Sequence, residues 1–313
     1  MNILVTGACG FIGSNLCQSL LEDGYFVTGI DAFVENYDSK IKRANCGILR
    51  QFQNFRLVEA DLLKIDLRPL MDKVDTVYHL AGQPSVQNSW GNDFQTYSDR
   101  NILLTQKLLH AAKEAKVARF VNSSSSSVYG RVMATPTKEI DDKRPISPYG
   151  VTKYAAENLV TLYGTEFGLS TVSLRYFTVY GPRQRPDMAF NKLIQAGKDG
   201  TSFSLHGDGS QKRDFTFVRD VVEANKLAAF AEIDPGSVFN VGGGTPVSMS
   251  EAILVIQEIM NLEIKIELAP LGPGNPMVTA SDTAAAQLEL GWKPKVDIRK
   301  GLKEQVAWQM GSI

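Results

Sequence analysis

Through the first two-thirds of the chain, short apolar β-branched runs alternate with longer stretches of helical pattern. This alternation constrains the fold more than any other feature. Strands are predicted over Asn2–Thr6, Phe26–Asp31, Arg56–Ala60, Thr76–Leu80, Arg119–Ser123 and Ser170–Arg175. Helices between them are predicted over Phe11–Asp23, Phe94–Ala115 and Pro148–Phe167. Strands that alternate with helices of this length read as βαβ units. Most of the strand runs are apolar nearly throughout, which fits a parallel sheet covered on both faces. The expectation is an α/β chain built on a doubly wound parallel sheet. After about residue 180 the pattern breaks up. Proline, glycine and arginine cluster at Gly181–Pro186. Shorter pieces follow, with strands expected at Phe203–His206, Val238–Val241 and Glu263–Leu268. Helices are expected near Val218–Phe230, Met249–Met260 and Lys300–Met310. The predicted division is a nucleotide domain over 1–180 and a smaller C-terminal substrate lobe over 181–313, with some later segments returning to the main sheet.

The segment from Gly7 to Gly13 lies between the first strand and the first helix. Gly7, Gly10 and Gly13 permit a tight turn, a close backbone approach to a pyrophosphate and close helix–strand packing. The helix start at Phe11 and Ile12 then offers backbone N–H groups to the phosphates. The spacing is GxxGxxG, and a glycine triplet alone also suits an ordinary strand–helix turn. Asp31 closes the next strand, where an acid accepts hydrogen bonds from ribose hydroxyls and repels a 2′-phosphate. Ala32 and Phe33 follow it, with no arginine adjacent, so NAD is favoured over NADP. Asp61, with Leu62 after it, closes the third strand on the adenine side. Leu80, Ala81 and Gly82 close the fourth. All these positions fall at the carboxyl ends of strands, where open α/β sheets bind ligands.

Composition narrows the field. The 313 residues are 43% hydrophobic and 21% charged, with a net charge of −1. That describes a packed globule without the basic surface nucleic acid requires. No apolar run reaches ~18 residues, so no membrane span or membrane partner is expected. The N-terminus lacks the cationic start of a signal peptide. The three cysteines (Cys9, Cys17 and Cys46) are too few and too odd for a disulfide framework and read as small buried residues in a reducing, cytoplasmic setting. His79, His110 and His206 are scattered, and no metal-ligand spacing occurs, so no metal is expected.

Tyr149 and Lys153 are four apart in a helical stretch and share a face. A tyrosine is a poor base at neutral pH, and a nearby ammonium favours its phenolate. The pair can move a proton beside a hydride acceptor. A lone YxxxK is common by chance, and the glycine turn and the serine run Ser123–Ser127 at a strand end give it weight here.

With these residues in place, the chain resembles the extended short-chain dehydrogenase/reductases, specifically the NAD-dependent sugar-nucleotide epimerases and dehydratases. The carrying motifs are TGACGFIG (6–13), HLAG (79–82), SSSSSVYG (123–130), SPYGVTK (147–153), RYFTVYGPRQRPDMAF (175–190) and GDGSQKRDFTFVRD (207–220). The resemblance implies a Rossmann-type fold, a retained NAD, a nucleotide diphosphate sugar and transient oxidation at sugar carbon 4. It assigns Ser125 to the carbon 4 oxygen, Tyr149 to the base, and Lys153 to the nicotinamide ribose and the tuning of Tyr149. Asn101 and Phe177 match cofactor-side positions. Thr178 stands where many epimerases have a substrate-binding asparagine, and Arg213 matches the arginine that meets the diphosphate. Gly274-Asn275-Pro276 departs from the family pattern, and the arginine usual before it is absent. The family often dimerises through helices equivalent to Phe94–Ala115 and Pro148–Phe167. Leu103, Leu104, Leu108, Leu109, Leu159, Leu162 and Tyr163 can furnish such a homodimer face or pack on the sheet.

The 4,6-dehydratases and decarboxylases similar to this chain place an acid just before Val-Tyr-Gly. Here Ser126 and Ser127 hold those positions, as substrate-side residues, and residues 118–137 contain no Asp or Glu. This points to plain 4-epimerisation. The string Arg183–Phe190 looks most like the UDP-glucuronate 4-epimerases, and Arg185 is the candidate for a bidentate grip on a sugar carboxylate. Its other roles are bracing the loop or meeting phosphate. Gln87 stands where many uronate epimerases carry an arginine, which keeps UDP-glucose or UDP-N-acetylglucosamine as the alternative substrate. A net dehydrogenase and a non-catalytic NAD sensor are the rival classes.

Overall fold

The computed structural model describes residues 1–131 and 135–311. Seven parallel strands form one sheet. In chain order these are β1 (Asn2–Thr6), β2 (Phe26–Asp31), β3 (Phe55–Glu59), β4 (Thr76–His79), β5 (Arg119–Ser125), β6 (Thr171–Tyr176) and Ser237–Val241, which is β11 once the short pairs β7 (Val179–Tyr180), β8 (Phe203–His206), β9 (Lys212–Asp214) and β10 (Thr216–Phe217) are numbered. The spatial order is β11-β6-β5-β4-β1-β2-β3. Strand order reverses beside β1, and the switch point lies at the end of β1 and β4. The last strand comes from well beyond residue 180 and pairs Val238 with Ser173 and Phe239 with Leu174.

Both sheet faces are covered, as the near-continuous apolar strands require. Ile3 and Val5 of β1 point into a core with Leu16 and Leu20 of helix α1 (Phe11–Glu22). Val221 and Val222, from the helix Val218–Phe230, join that core. Leu4, Val77 and Phe120 point the other way, onto Leu104, Leu108, Leu109 and Val160. Three of the seven candidates for an interface, Leu104, Leu108 and Leu109, are therefore core residues. Leu103 and Leu162 are exposed. A third core gathers Tyr180, Phe190, Phe217, Ile253, Ile256 and Leu302, all at or beyond residue 180.

Most of the expected elements are found within a residue or two of their expected ends. The stretch Phe94–Ala115 is more complex. It forms α4 (Phe94–Tyr97), a π-helical segment Ser98–Leu103 and α5 (Leu104–Glu114), counting α3 as Arg68–Met71. Four helices have no counterpart in the sequence reading: α2 (Ser39–Leu49), the short α3, α7 (Ala189–Asp199) and the helix Ala284–Leu290. The helix α6 (Pro148–Phe167) is the best punctuated. Ser147 caps it by accepting the Gly150 N–H at 3.1 Å, Pro148 occupies the first turn, and Gly168 ends it at φ +66°. The cap fixes where the helix begins, and so where Tyr149 stands.

Candidate active site

The turn after β1 takes Gly7 through φ +68°, and the Gly10 N–H returns to the Gly7 carbonyl at 3.0 Å. A Cβ on Gly13 would sit 2.1 Å from that same carbonyl oxygen, so only glycine lets α1 start hard against the strand end. Gly10 caps α1 without a side chain, which leaves the first helical N–H groups to an anionic ligand. At the end of β2, Asp31 accepts the N–H groups of Cys9 at 3.1 Å and Phe33 at 2.8 Å. The buried Lys42 of α2 lies 3.8 Å from Asp31 and donates to the Val34 carbonyl at 3.0 Å. Burial pushes its ammonium below the ordinary lysine range, and Asp31 opposes that. Asp61, at the end of β3, pairs with Arg100 at 3.3 Å.

A buried relay fixes the loop after β4. Thr105 donates to the Asn101 carbonyl at 2.6 Å and so accepts from His79 Nε2 at 3.0 Å. Nδ1 of His79 then accepts from the Thr6 hydroxyl at 2.9 Å, and Thr6 Oγ1 accepts the N–H groups of Leu80 and Ala81 at 3.2 and 3.1 Å. Burial, and after it the charge of Lys153, pushes the imidazole down to about 3, which keeps it in this single neutral tautomer. Asn101, inside the π-helical segment, accepts the Gln83 N–H at 2.7 Å and donates to Thr152 at 2.9 Å. Its amide thus ties the loop Leu80–Gln83 to α6. π-Bulges concentrate at such functional positions.

At the end of β5, Ser123 and Ser124 are tied to α6 and Ser125 faces it. The Ser123 carbonyl accepts from the Lys153 ammonium. The Ser124 hydroxyl donates to Glu157 at 2.6 Å. The Ser125 hydroxyl faces the Tyr149 phenol and accepts the Ser127 N–H at 3.1 Å. Burial pushes the Tyr149 phenol up. The neighbouring Ser125 hydroxyl and the charge of Arg185 pull it back down, so at Tyr149 the cation that opposes burial is Arg185 rather than Lys153. Burial likewise pulls the Lys153 ammonium down to about 8, against the charge of Glu157. The ring of Tyr97 packs edge-on to Tyr149 at 6.4 Å, with its hydroxyl 2.9 Å from the carbonyls of Pro84 and Ser85.

Many of these groups line one cleft. It brings together Gly7, Gly10, Phe11, Ile12, Gly13, Asp31, Asp61, Leu62, Leu80, Ala81, Gly82, Asn101, Tyr149, Lys153 and Arg185 of the sequence candidates. Ser125 is buried beside it. Ser126 and Ser127 form a single 3₁₀ turn with Val128. Phe177 is not on the cleft: its ring is 2% exposed and packs 6.3 Å from Tyr129. Thr178 lies off the lining, its carbonyl accepting the Thr216 N–H at 2.9 Å. Arg213 stands apart on β9 and donates to the Lys212 and Met277 carbonyls at 3.0 and 3.4 Å. Arg185 is on the lining, but Asp187 holds it through Nε at 2.9 Å and Nη2 at 2.7 Å. The lining also includes Tyr37, Lys42, Gln83, Arg100 and Tyr176, which the sequence reading passes over. Lys42 and Tyr37 belong to a stretch read there as having no element, so nothing directs attention to them.

The residues fit a dinucleotide. An uncapped helix start faces the glycine turn, an acid ends β2, and a proton-transfer pair stands across the same cleft. The family model of the NAD-dependent epimerase/dehydratase family matches residues 3–242. A Bacillus subtilis protein called an uncharacterized UDP-glucose epimerase, YtcB, is 38% identical over 309 residues, 98% of each chain. The UDP-glucuronate 4-epimerase 5 of Arabidopsis thaliana is 38% identical over 99% of this chain and 76% of its own. The crystal structure of UDP-glucuronic acid 4-epimerase from Bacillus cereus, in complex with UDP-glucuronic acid and NAD, superposes with a TM-score of 0.96 at 40% identity over the whole of both chains. This chain belongs to the NAD-dependent epimerase/dehydratase family.

Proposed function

We propose that the protein interconverts UDP-glucuronate and UDP-galacturonate by NAD-dependent epimerisation at sugar carbon 4. The observation that carries the reading is the register of Ser125 at the end of β5 with Tyr149 and Lys153 at the start of α6, the latter two on the cleft that holds the glycine turn. Gly7–Gly13 would hold the pyrophosphate, Asp31 and Lys42 the adenosine ribose, and Lys153 the nicotinamide ribose. Bound NAD supplies a hydride acceptor that gives the hydride back within the same turnover. The protein's own part is proton transfer and orientation. Ser125 orients the carbon 4 hydroxyl, Tyr149 as phenolate takes its proton, and Tyr149 returns that proton once the 4-keto sugar has presented its other face. No Asp or Glu lies in 118–137 to assist elimination or decarboxylation.

A second reading, 4-epimerisation of UDP-glucose, is favoured by one observation: Asp187 already occupies a fork of Arg185. Product analysis after parallel incubation with UDP-glucuronate, UDP-glucose and UDP-N-acetylglucosamine, with no added NAD, decides between them. UDP-galacturonate as the main product supports the first reading. UDP-galactose alone supports the second, and UDP-pentose overturns both.

We further read the protein as a cytoplasmic homodimer. Among the described residues no helix is long and apolar enough to cross a membrane, and all three cysteines are unpaired. Leu103 and the α6 residues Val151, Leu162 and Phe167 are apolar and exposed. The mass of the protein in solution tests the dimer. A monomer that persists at high concentration would rule it out.

A further inference from the structure

Beyond Tyr149 and Lys153, α6 places a third ionisable residue on the same face. Glu157 follows Lys153 by one turn, as Lys153 follows Tyr149. Its side chain is 4% exposed. An acid there reads at first as ordinary helix surface, but it is among the most enclosed carboxylates in the molecule. Arg175 of β6 donates to it through Nε at 2.9 Å and Nη2 at 2.7 Å, and the Ser124 hydroxyl donates at 2.6 Å. Arg175 in turn donates to the Tyr129 hydroxyl at 2.6 Å and the Glu139 carbonyl at 3.0 Å. Glu157 is therefore fixed to two of the strands that end at the cleft, β5 and β6.

The geometry points to Glu157 as a positioning residue of the proton-transfer site, a buried anion that keeps the Lys153 ammonium charged where the Ser123 carbonyl holds it. This rests on the reading of Tyr149 and Lys153 given above. Without an anion nearby, burial alone favours the neutral amine. Other charged or titratable groups face the same cluster. His79 on β4 is neutral, Arg175 carries the opposite charge to Glu157, and Glu139 and Lys143 approach from the segment before α6. Of these groups, Glu157 is the one whose charge favours the Lys153 ammonium. With Lys153, Arg175 and Glu157 charged, these three groups carry one net positive charge.

The test is the titration of Lys153 in the NAD-bound protein, followed through its side-chain ¹⁵N resonance and assigned by the loss of that resonance in Lys153→Met. In Glu157→Gln the midpoint is expected to fall by about one pH unit. The alkaline limb of kcat/KM, with whichever UDP-sugar is turned over, is expected to follow it. A folded Glu157→Gln protein whose Lys153 titrates at the wild-type pH overturns the inference. Glu157→Asp keeps a carboxylate for Arg175 and serves if the glutamine variant does not fold; there a smaller downward step is expected, and no step overturns the inference. Wild-type protein that turns over no UDP-sugar would defeat the functional reading, while the ¹⁵N titration would still decide the role of Glu157.

Discussion

The guanidinium of Arg185 is gripped by the carboxylate of Asp187 through two hydrogen bonds, of 2.9 and 2.7 Å, on the lining of the catalytic cleft. The Nε–Nη2 edge engaged in this way does not take a second carboxylate, while Nη1 has no side-chain acceptor among the described residues. A uronate that binds Arg185 through the occupied edge competes with Asp187. Asp187→Asn weakens the competitor and leaves the loop its shape. The KM for UDP-glucuronate is expected to fall by about 3- to 10-fold, while that for UDP-glucose stays within about 2-fold. Equal effects on both substrates, measured by steady-state kinetics, would place Arg185 on a group the two substrates share.

Gly13 carries the second prediction. A Cβ there meets the Gly7 carbonyl oxygen at 2.1 Å, with backbone on both sides and nothing flexible to give way. Gly13→Ala is expected to cost roughly 3 kcal/mol or more and to empty the purified protein of NAD. Gly24 is the control: it has φ +84° but nothing within 4 Å, so Gly24→Ala is expected to cost only about 1 kcal/mol and to keep its NAD. Thermal melting and the cofactor content of the two variants check this. Full NAD content in Gly13→Ala would contradict the account of the turn.

These two sites differ in how far they can be read from sequence. Gly13 announces itself, because the glycine triplet stands between a predicted strand and helix and Asp31 closes the next strand. α6 is equally plain, since Ser147, Pro148 and Gly168 mark both of its ends. α2 is hidden because its inward face is Lys42, Asn45, Cys46 and Leu49, three of them not hydrocarbon, so no apolar stripe shows. α7 does bury Phe190, Leu193 and Ile194 at helical spacing, but Met188 offers no side-chain cap to mark its start. Glu157 and Asp187 are invisible for another reason. Their meaning lies in partners on other strands or in side-chain direction, neither of which has a sequence period.

His79 gives a prediction in pH. Its imidazole stays neutral in the fold down to about 3, whereas in the unfolded chain it takes up a proton near pH 6.5. The unfolded state therefore binds more protons between those values, and the stability this group provides above pH 6.5 is lost as pH falls. The expected slope from His79 is about 1.4 kcal/mol per pH unit below pH 6. His79→Gln can bridge Thr6 and Thr105 without titrating. Denaturant unfolding at pH 7 and pH 5 should show a smaller pH dependence for the variant than for the wild type. Identical dependence in both would mean that the buried histidine is not what makes the fold acid-sensitive.

The central claim is that the sugar is oxidised at carbon 4 and reduced again by the same bound cofactor, with Tyr149 carrying only the proton. UDP-glucuronate labelled with deuterium at carbon 4 tests it most directly, when incubated with the protein as purified and no added NAD. The expected product is UDP-galacturonate that retains deuterium at carbon 4, at a rate reduced by at least about 10³-fold in Tyr149→Phe. Loss of the label to water, or its appearance in free NADH, would contradict the account.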